Sequence, residues 1–179
     1  MIGVLVSGEG TNLQALIDAR LPIASVASNR PGVRALERAE QAGIPAAVFP
    51  LAAYGERAER DAAMASYLEA HGVEIVVCAG YMHVLTPAFL ARFPGRILNV
   101  HPSLLPAFPG VDAVDDALAA GVPETGVTVH VVDEGVDTGP VVAQERVPIL
   151  PGDTRDTLLD RVHAVEHRLL PAVVREWLR

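Results

Sequence analysis

The fold is decided by residues 2–17, which read IGVLVSGEGTNLQALI. An apolar run (2–6) typical of a strand is followed by a glycine-containing turn (7–12) and by apolar residues at helical spacing (13–17). A strand, a glycine turn and a helix in this order open an α/β unit, and the backbone N–H groups at such a helix start bind phosphate. We therefore expect a parallel sheet and an anion site at its first turn.

The first turn lacks two features of the dinucleotide-binding motif. Leu13 takes the place of the third glycine. Asn29, which follows a second predicted strand (23–28), replaces the acidic residue that binds an NAD ribose. The sequence therefore predicts a site for a single phosphate. A plain tight turn without a ligand has the same glycine pattern and is the alternative interpretation.

Strand and helix patterns alternate through the next hundred residues. The most hydrophobic run, 73–79 (VEIVVCA), has the composition of a central strand that is buried on both faces. Thr86 and Pro87 have the character of a helix start, with a cap residue followed by proline at the first helical position. The other predicted elements are helices near 33–42, 56–71 and 112–120 and a strand near 46–49.

The pattern changes after residue 125. Two β runs, 126–132 and 140–144, flank the acidic loop 133–139, and an amphipathic helix follows them. We expect Asp153 to cap this helix and Pro171 to kink or interrupt it. The complete pattern predicts an α/β fold with a mostly parallel Rossmann-like sheet flanked by helices and an antiparallel strand addition in the C-terminal half.

Length and composition limit the classes of function. For 179 residues we expect a single domain, with a phosphate-binding half (1–100) and a half that carries the last helix (101–179). The net charge is −8 and all 14 basic residues are arginines, which argues against nucleic-acid binding and excludes lysine Schiff-base catalysis. The lone Cys78 and the lack of a basic leader or a membrane-length apolar stretch predict a soluble cytoplasmic protein.

Two polar side chains end the strand-like run 97–101. Asn99 and His101 lie two residues apart, so they share one face of the strand, and Pro102 and Pro106 stiffen the segment that follows. Ligands of open α/β sheets bind outside the carboxyl ends of the strands, which is where this pair is expected. The alternative is that both residues are turn formers that satisfy loop backbone groups.

An amide and an imidazole at a strand end suit the transfer of an acyl-type group. Both can donate hydrogen bonds to the oxyanion of a tetrahedral intermediate, and a nearby carboxylate would keep the imidazole protonated. Asp137 is preferred to Asp133 as that carboxylate because Gly139 and Pro140 predict a rigid turn beside it. The alternative role for Asp137 is an Asx-turn within its own loop.

Two other candidate sites are weaker. His163 and His167 are spaced as metal ligands on one helix face, but the order differs from His-Glu-x-x-His and no third ligand is evident. Ser103 lacks the flanking glycines of a nucleophile elbow. We therefore predict no metal and no serine nucleophile.

The chain resembles the glycinamide ribonucleotide formyltransferases, a folate-dependent formyltransferase family, along nearly its whole length. The matching stretches are 7–15 (SGEGTNLQA), 79–85 (AGYMHVL), 99–106 (NVHPSLLP) and 133–140 (DEGVDTGP). The resemblance implies transfer of formyl from 10-formyltetrahydrofolate, a co-substrate, to the amine of glycinamide ribonucleotide in purine synthesis. It also implies small-molecule substrates, no nucleic-acid or membrane partner, and a monomer or homodimer.

The resemblance assigns roles to individual residues. Asn99, His101 and Asp137 match the family's catalytic residues, with Asp137 as the carboxylate that sustains the protonated histidine. The positions that match the ribonucleotide site are Gly10, Thr11, Asn12 and Leu13, at its phosphate, and Glu166. The positions that match the folate site are Arg57, Met82, His83, Val84, Leu85, Asn99 and Asp133, the last in the acidic loop beside the pterin.

Two positions depart from the family, and two alternatives stay open. His83 stands where relatives commonly have arginine, and Asp112 where many have histidine. The chain has neither the additional domain nor the basic surface expected of a methionyl-tRNA formyltransferase. A formyltetrahydrofolate hydrolase-like enzyme and an inactive ribonucleotide-binding paralogue are the remaining alternatives.

Overall fold

The computed structural model describes residues 1–179. The chain forms two compact units, Met1–Leu98 and Asn99–Arg179. The first unit contains four parallel strands in the order β3-β2-β1-β4. Its strands are β1 (Ile2–Val6), β2 (Ile23–Ser28), β3 (Ala46–Val48) and β4 (Ile75–Cys78). Its helices are α1 (Thr11–Asp18), α2 (Arg34–Gln41), α3 (Arg57–Ala70) and α4 (Pro87–Leu90), with a 3-10 turn at Leu51–Ala53.

The second unit is built around an antiparallel strand pair. Strand β5 (Ile97–His101) crosses the boundary between the units and is followed by β6 (Glu124–Val131) and β7 (Val141–Pro148). Strands β6 and β7 are antiparallel, with Thr128 opposite Gln144. The helices of this unit are α5 (Ala113–Ala120) and α6 (Arg155–Trp177). The predicted fold class, a mostly parallel α/β sheet with an antiparallel addition in the C-terminal half, is confirmed.

The sequence pattern predicted the buried strands correctly. Every residue of β1 and of β4 is buried, as expected for parallel strands covered on both faces. Strands β6 and β7 are longer than the predicted runs, because the ladder continues through Glu124 and Pro148 at one end. No helix is long and apolar enough to cross a membrane.

The residue expected to cap the last helix is wrong. The cap of α6 is Thr154, whose hydroxyl accepts from the Thr157 N–H in a capping box, rather than Asp153. The Asp153 carboxylate instead accepts from the Leu150 N–H and pairs with Arg161 at 2.9 Å. Nor does Pro171 interrupt the helix, which continues to Trp177; Pro171 is buried with its neighbours, and this packing offsets the missing N–H.

Candidate active site

His101 lies at the carboxyl end of β5 with only 4% of its surface exposed. Its Nε2 is 2.8 Å from the carbonyl oxygen of Phe108, and since a carbonyl only accepts, Nε2 carries a proton. Its Nδ1 lies 3.4 Å from Oδ2 of Asp137. Each ring nitrogen of His101 therefore faces an acceptor, the Phe108 carbonyl at Nε2 and the Asp137 carboxylate at Nδ1.

Asp137 is held in place by groups from three parts of the second unit. Its Oδ2 accepts from the Gly110 N–H at 2.8 Å, and its Oδ1 lies 3.5 Å from Nε2 of His130 and from Nδ2 of Asn99. The hydrogen bond from the His130 ring, followed by the Gly110 amide and the charge on His101, holds the pKa of Asp137 below its usual range, against the effect of burial. Asp137 is therefore a carboxylate at neutral pH.

His130 is a site residue that sequence reasoning missed. It lies on β6 with 2% of its surface exposed, and its Nε2 is 3.1 Å from Nδ2 of Asn99. An amide N–H only donates and a carboxylate only accepts, so Nε2 bonds Asn99 when the ring is neutral and Asp137 when the ring is protonated. The sequence did contain a signal for His130 as a site residue. Thr128 and His130 alternate with valines, which places two polar side chains on one face of a buried strand.

The segment after His101 is fixed by a network of buried hydrogen bonds. The Ser103 hydroxyl donates to the Ala107 carbonyl at 2.5 Å, and Ser103 is fully buried, so it is not placed as a nucleophile. Thr128 donates to the Ser103 carbonyl and accepts from the Leu105 N–H, and Gln144 donates to the Leu105 carbonyl. This network supports the loop that presents the Phe108 carbonyl to His101.

Two residues of the site have unusual backbone angles. Phe108 has a φ of 52° and Asp137 a φ of 54°, in the left-handed region that non-glycine residues rarely adopt. Such conformations cost free energy and persist where the surrounding structure imposes them, often at functional sites. Here both residues contact His101.

The acidic loop gives its two aspartates different partners. Asp133 accepts from the Gly135 N–H at 3.0 Å, the pattern of an Asx-turn, and from the Thr138 hydroxyl at 2.7 Å. Asp137 contacts Gly110, His101 and His130 instead. A side chain at Gly139 would collide with the Val131 carbonyl, which gives the predicted rigid turn a steric cause.

The glycine turn of the first unit needs a glycine at position 10. Gly10 caps α1 with a φ of 71°, and a Cβ there would lie 2.6 Å from Cβ of Ala35. No side chain caps α1, so the cap residue supplies no acceptor for the N–H groups of the first turn, which suits an anionic ligand. Asn12 and Leu13 are buried and anchor the helix. Asn29 is buried and accepts from the Ser7 hydroxyl at 2.6 Å.

A cavity of about 540 Å³ in the first unit includes the start of the glycine turn but not the predicted phosphate-binding residues 10–13. It is lined by Ser7, Gly8 and Glu9 and by residues of α2 and the segment before it, including Arg30 and Arg34. Residues 10–13 do not line it, so we do not identify it with the ribonucleotide site.

The predicted folate residues of the first unit lie at the start of α3 and in the loop between β4 and α4. Arg57 is the first residue of α3 and is exposed. Met82 and Val84 are 60% and 45% exposed, whereas Leu85 is buried. The ring of His83 is bonded to Arg60 of α3 at 3.1 Å.

Four further residues considered in the sequence lie on or next to the helices of the second unit. Glu166 is a buried carboxylate on α6, with 5% of its surface exposed. His163 and His167 stack on α6 with ring centroids 5.8 Å apart, and no cluster of three metal-binding side chains is present. Asp112 caps α5 without a side-chain hydrogen bond and is exposed.

Comparisons with known proteins agree on one family. Residues 1–174 match the family model for formyl transferases. A phosphoribosylglycinamide formyltransferase of Mycobacterium tuberculosis is 47% identical over 176 residues, covering 96% of this chain and 81% of that protein. The crystal structure of phosphoribosylglycinamide formyltransferase from Streptococcus pneumoniae superposes with a TM-score of 0.97 at 42% identity, covering 99% of this chain and 98% of that one.

Other relatives are much longer. A trifunctional purine biosynthetic protein of Chironomus tentans is 46% identical over 182 residues, which cover 97% of this chain but 13% of that protein. The trifunctional purine biosynthetic protein of Gallus gallus is also 46% identical, and the match covers 18% of that protein. The match nevertheless extends over almost every residue of this chain, from the glycine turn to the last helix, and the chain belongs to the formyl transferase family.

Proposed function

We propose that the protein transfers a formyl group from 10-formyltetrahydrofolate to the amine of glycinamide ribonucleotide, a step of purine synthesis. The observation that carries this proposal is the cluster of Asn99, His101 and Asp137, in which an amide and an imidazole lie against one partly buried carboxylate. The names of the relatives support the substrates, and membership of the family supports a folate-derived donor. The expected cytoplasmic location and the monomeric or dimeric state remain predictions.

The reaction begins when the amine nitrogen attacks the formyl carbon. The carbonyl oxygen becomes an oxyanion, and Asn99 Nδ2 and the protonated Nδ1 of His101 are the donors that stabilise it. Nδ1 lies 3.4 Å from Asp137, too far for a strong hydrogen bond, so its proton can be donated to the oxyanion. Asn99 Nδ2 lies 3.5 Å from Asp137 Oδ1, which is the outer limit of hydrogen bonding. The N–H that points at Asp137 is therefore weakly bonded and can donate to the oxyanion instead. Asp137 keeps His101 charged throughout.

Collapse of the tetrahedral intermediate completes the transfer. The bond between the formyl carbon and N10 of the folate breaks, and the formyl group stays on the attacking nitrogen. The amine loses one proton and N10 gains one, and water is the carrier that we propose for this proton. Metal participation is not part of the proposal.

The ribonucleotide is bound, in this proposal, by the glycine turn and by Glu166. The N–H groups of the first turn of α1 receive the phosphate, because a helix start attracts negative charge. The chain has no lysine, so backbone amides and arginines are its sources of positive potential for phosphate. Glu166, buried on α6, matches a family position on the ribonucleotide side, and that role stays a prediction.

Gly10→Ala is expected to raise the KM for the ribonucleotide about tenfold, because the new Cβ would press on Ala35 and strain a backbone at φ 71°. Steady-state kinetics with each substrate varied in turn measures this effect. Gly8→Ala is the matched control, since a Cβ at Gly8 meets no atom within 4 Å. Equal effects of the two substitutions would contradict a special role for Gly10.

His130→Phe is expected to lower kcat about tenfold or more, because the phenyl ring removes the Nε2 atom that lies within reach of both the Asn99 amide and the Asp137 carboxylate. His130→Gln restores an acceptor and is expected to recover part of the loss. The ribonucleotide KM should change little in either variant, since the contacts of His130 lie around Asn99 and Asp137. Full activity of the phenylalanine variant would show that Asn99 needs no support.

A spectrophotometric assay tests the proposed function directly. The purified protein is supplied with a 10-formyl folate analogue, with and without glycinamide ribonucleotide. Folate product that appears only with the ribonucleotide supports transfer. Product that appears without it identifies the hydrolase-like alternative, and saturable binding without turnover identifies an inactive paralogue.

A further inference from the structure

The first unit contains a fully buried ion pair that the proposed mechanism does not use. The side chains of Arg60 and Asp61, neighbours on α3, have no exposed surface, and Arg60 Nε donates to Asp61 Oδ1 at 2.7 Å. Burying two charges is costly unless their remaining polar atoms also find partners. Those partners indicate what the pair supports.

The remaining atoms of the pair reach the β4–α4 loop, which comprises residues 79–86. Asp61 Oδ2 accepts from the Thr86 N–H at 2.8 Å, and Arg60 Nη1 lies 3.1 Å from Nδ1 of His83. A guanidinium is always charged and can only donate, so Nδ1 carries a lone pair. His83 is therefore neutral, with its proton on Nε2.

The β4–α4 loop is also held near its start. The Met82 N–H donates to the Ser7 hydroxyl at 2.9 Å. Between these anchors the side chains of Met82 and Val84 stand 60% and 45% exposed. The loop thus presents two apolar side chains and is held through the backbone N–H groups of residues 82 and 86 and through the ring of His83.

We propose that Arg60, Asp61 and His83 are positioning residues that hold the β4–α4 loop in the conformation that receives the formyl donor, with neutral His83 as the acceptor for Arg60. The inference rests on the proposed function, in which this loop belongs to the folate site. It assigns Arg60 and Asp61 a role through the loop, without contact with substrate.

His83 is the sensitive member of this cluster. Burial, followed by the nearby charges of Arg60 and Arg57, lowers the pKa of His83, while Asp61 acts in the opposite direction. Tyr81, the ring neighbour of His83, stays neutral because burial raises its pKa. A proton on Nδ1 would turn the acceptor into a second donor facing Arg60. Arg60 Nη2 is already buried without a partner, so this loss would leave two unsatisfied donors on one guanidinium.

The inference predicts a pH-dependent affinity for the formyl donor. The Arg60–His83 hydrogen bond holds the loop while His83 is neutral. This hydrogen bond is lost as the pH falls through the pKa of His83, which lies below the ordinary histidine value of about 6.5. When the pH falls from about 8 to about 5, the KM of the unmodified protein for the formyl donor should rise about tenfold, with no matching rise in the KM for the ribonucleotide. In His83→Gln, whose amide accepts but does not take a proton, the donor KM should be about the same at both pH values.

A measurement on the protein without substrates separates this inference from the proposed function. Nitrogen-15 NMR of the His83 ring should show the Nε2–H neutral form. In the double variant Arg60→Met, Asp61→Asn, the His83 pKa should rise and the amide signals of Met82 and Val84 should shift. The asparagine keeps an acceptor for Thr86 and avoids an unpaired buried carboxylate.

The outcomes are distinct. A ring that titrates identically with and without Arg60 overturns the inference, and so does a His83→Gln variant that retains the acid rise in donor KM. If the protein fails to transfer formyl, the proposed function falls, while the NMR result still decides whether Arg60 and His83 position the loop.

Discussion

Asn99→Ala lowers kcat by about two to three orders of magnitude, the loss expected when one donor to an oxyanion is removed. Asn99 Nδ2 lies 3.1 Å from Nε2 of His130 and 3.5 Å from Oδ1 of Asp137, so these two residues orient its amide. Single-turnover kinetics measures the effect on the chemical step. The KM values should change much less than kcat, because the lost hydrogen bond forms mainly in the transition state.

A matched substitution separates donation from shape. Asn99→Asp keeps the size of the side chain but replaces the donor with a carboxylate that only accepts. We expect this variant to be at least as impaired as the alanine variant, because its charge also lies beside Asp137. An active aspartate variant would show that the shape of Asn99, rather than its N–H, matters.

Asp137→Asn should lower kcat by about two to four orders of magnitude if Asp137 has the proposed role, since the substitution removes the negative charge beside His101. The substitution leaves the backbone little changed, because asparagine tolerates the φ of 54° and its amide oxygen can still accept from Gly110. The measurement is kcat across the pH range. Glu134→Gln is the control: it removes one charge from the same exposed loop, and activity should be retained.

The same variant tests the pH dependence of stability. The pKa of Asp137 is lowered in the folded protein, so its contribution to the free energy of unfolding is complete above the ordinary carboxyl range, near about 3.9, and is lost as the pH falls through the lower folded value. Thermal unfolding of Asp137→Asn should therefore differ most from that of the unmodified protein near neutral pH. A difference in melting temperature that does not shrink at acid pH would contradict this.

Asp133 and Asp137 illustrate where sequence reasoning needed the structure. Both belong to one acidic loop, and sequence spacing alone left Asp137 with an Asx-turn as its alternative role. In the structure Asp133 makes the Asx-turn, with Gly135, whereas Asp137 reaches Gly110, 27 residues away along the chain. The catalytic role of Asp137 stays a prediction, which the substitutions above test.

The sequence by itself determined the strands, the helices and the polar ends of β5, because hydrophobic periodicity, glycine turns and proline positions act over a few neighbouring residues. It also carried the family's motifs. Only the tertiary structure decided that His130 joins Asn99 and Asp137, that Thr154 rather than Asp153 caps α6, and that Arg60 reaches His83. The Asn99–His130 and Arg60–His83 contacts join side chains more than twenty residues apart, whose meeting depends on how strands pair and helices pack. Asp153 does not cap α6 because its carboxylate is paired with Arg161 instead.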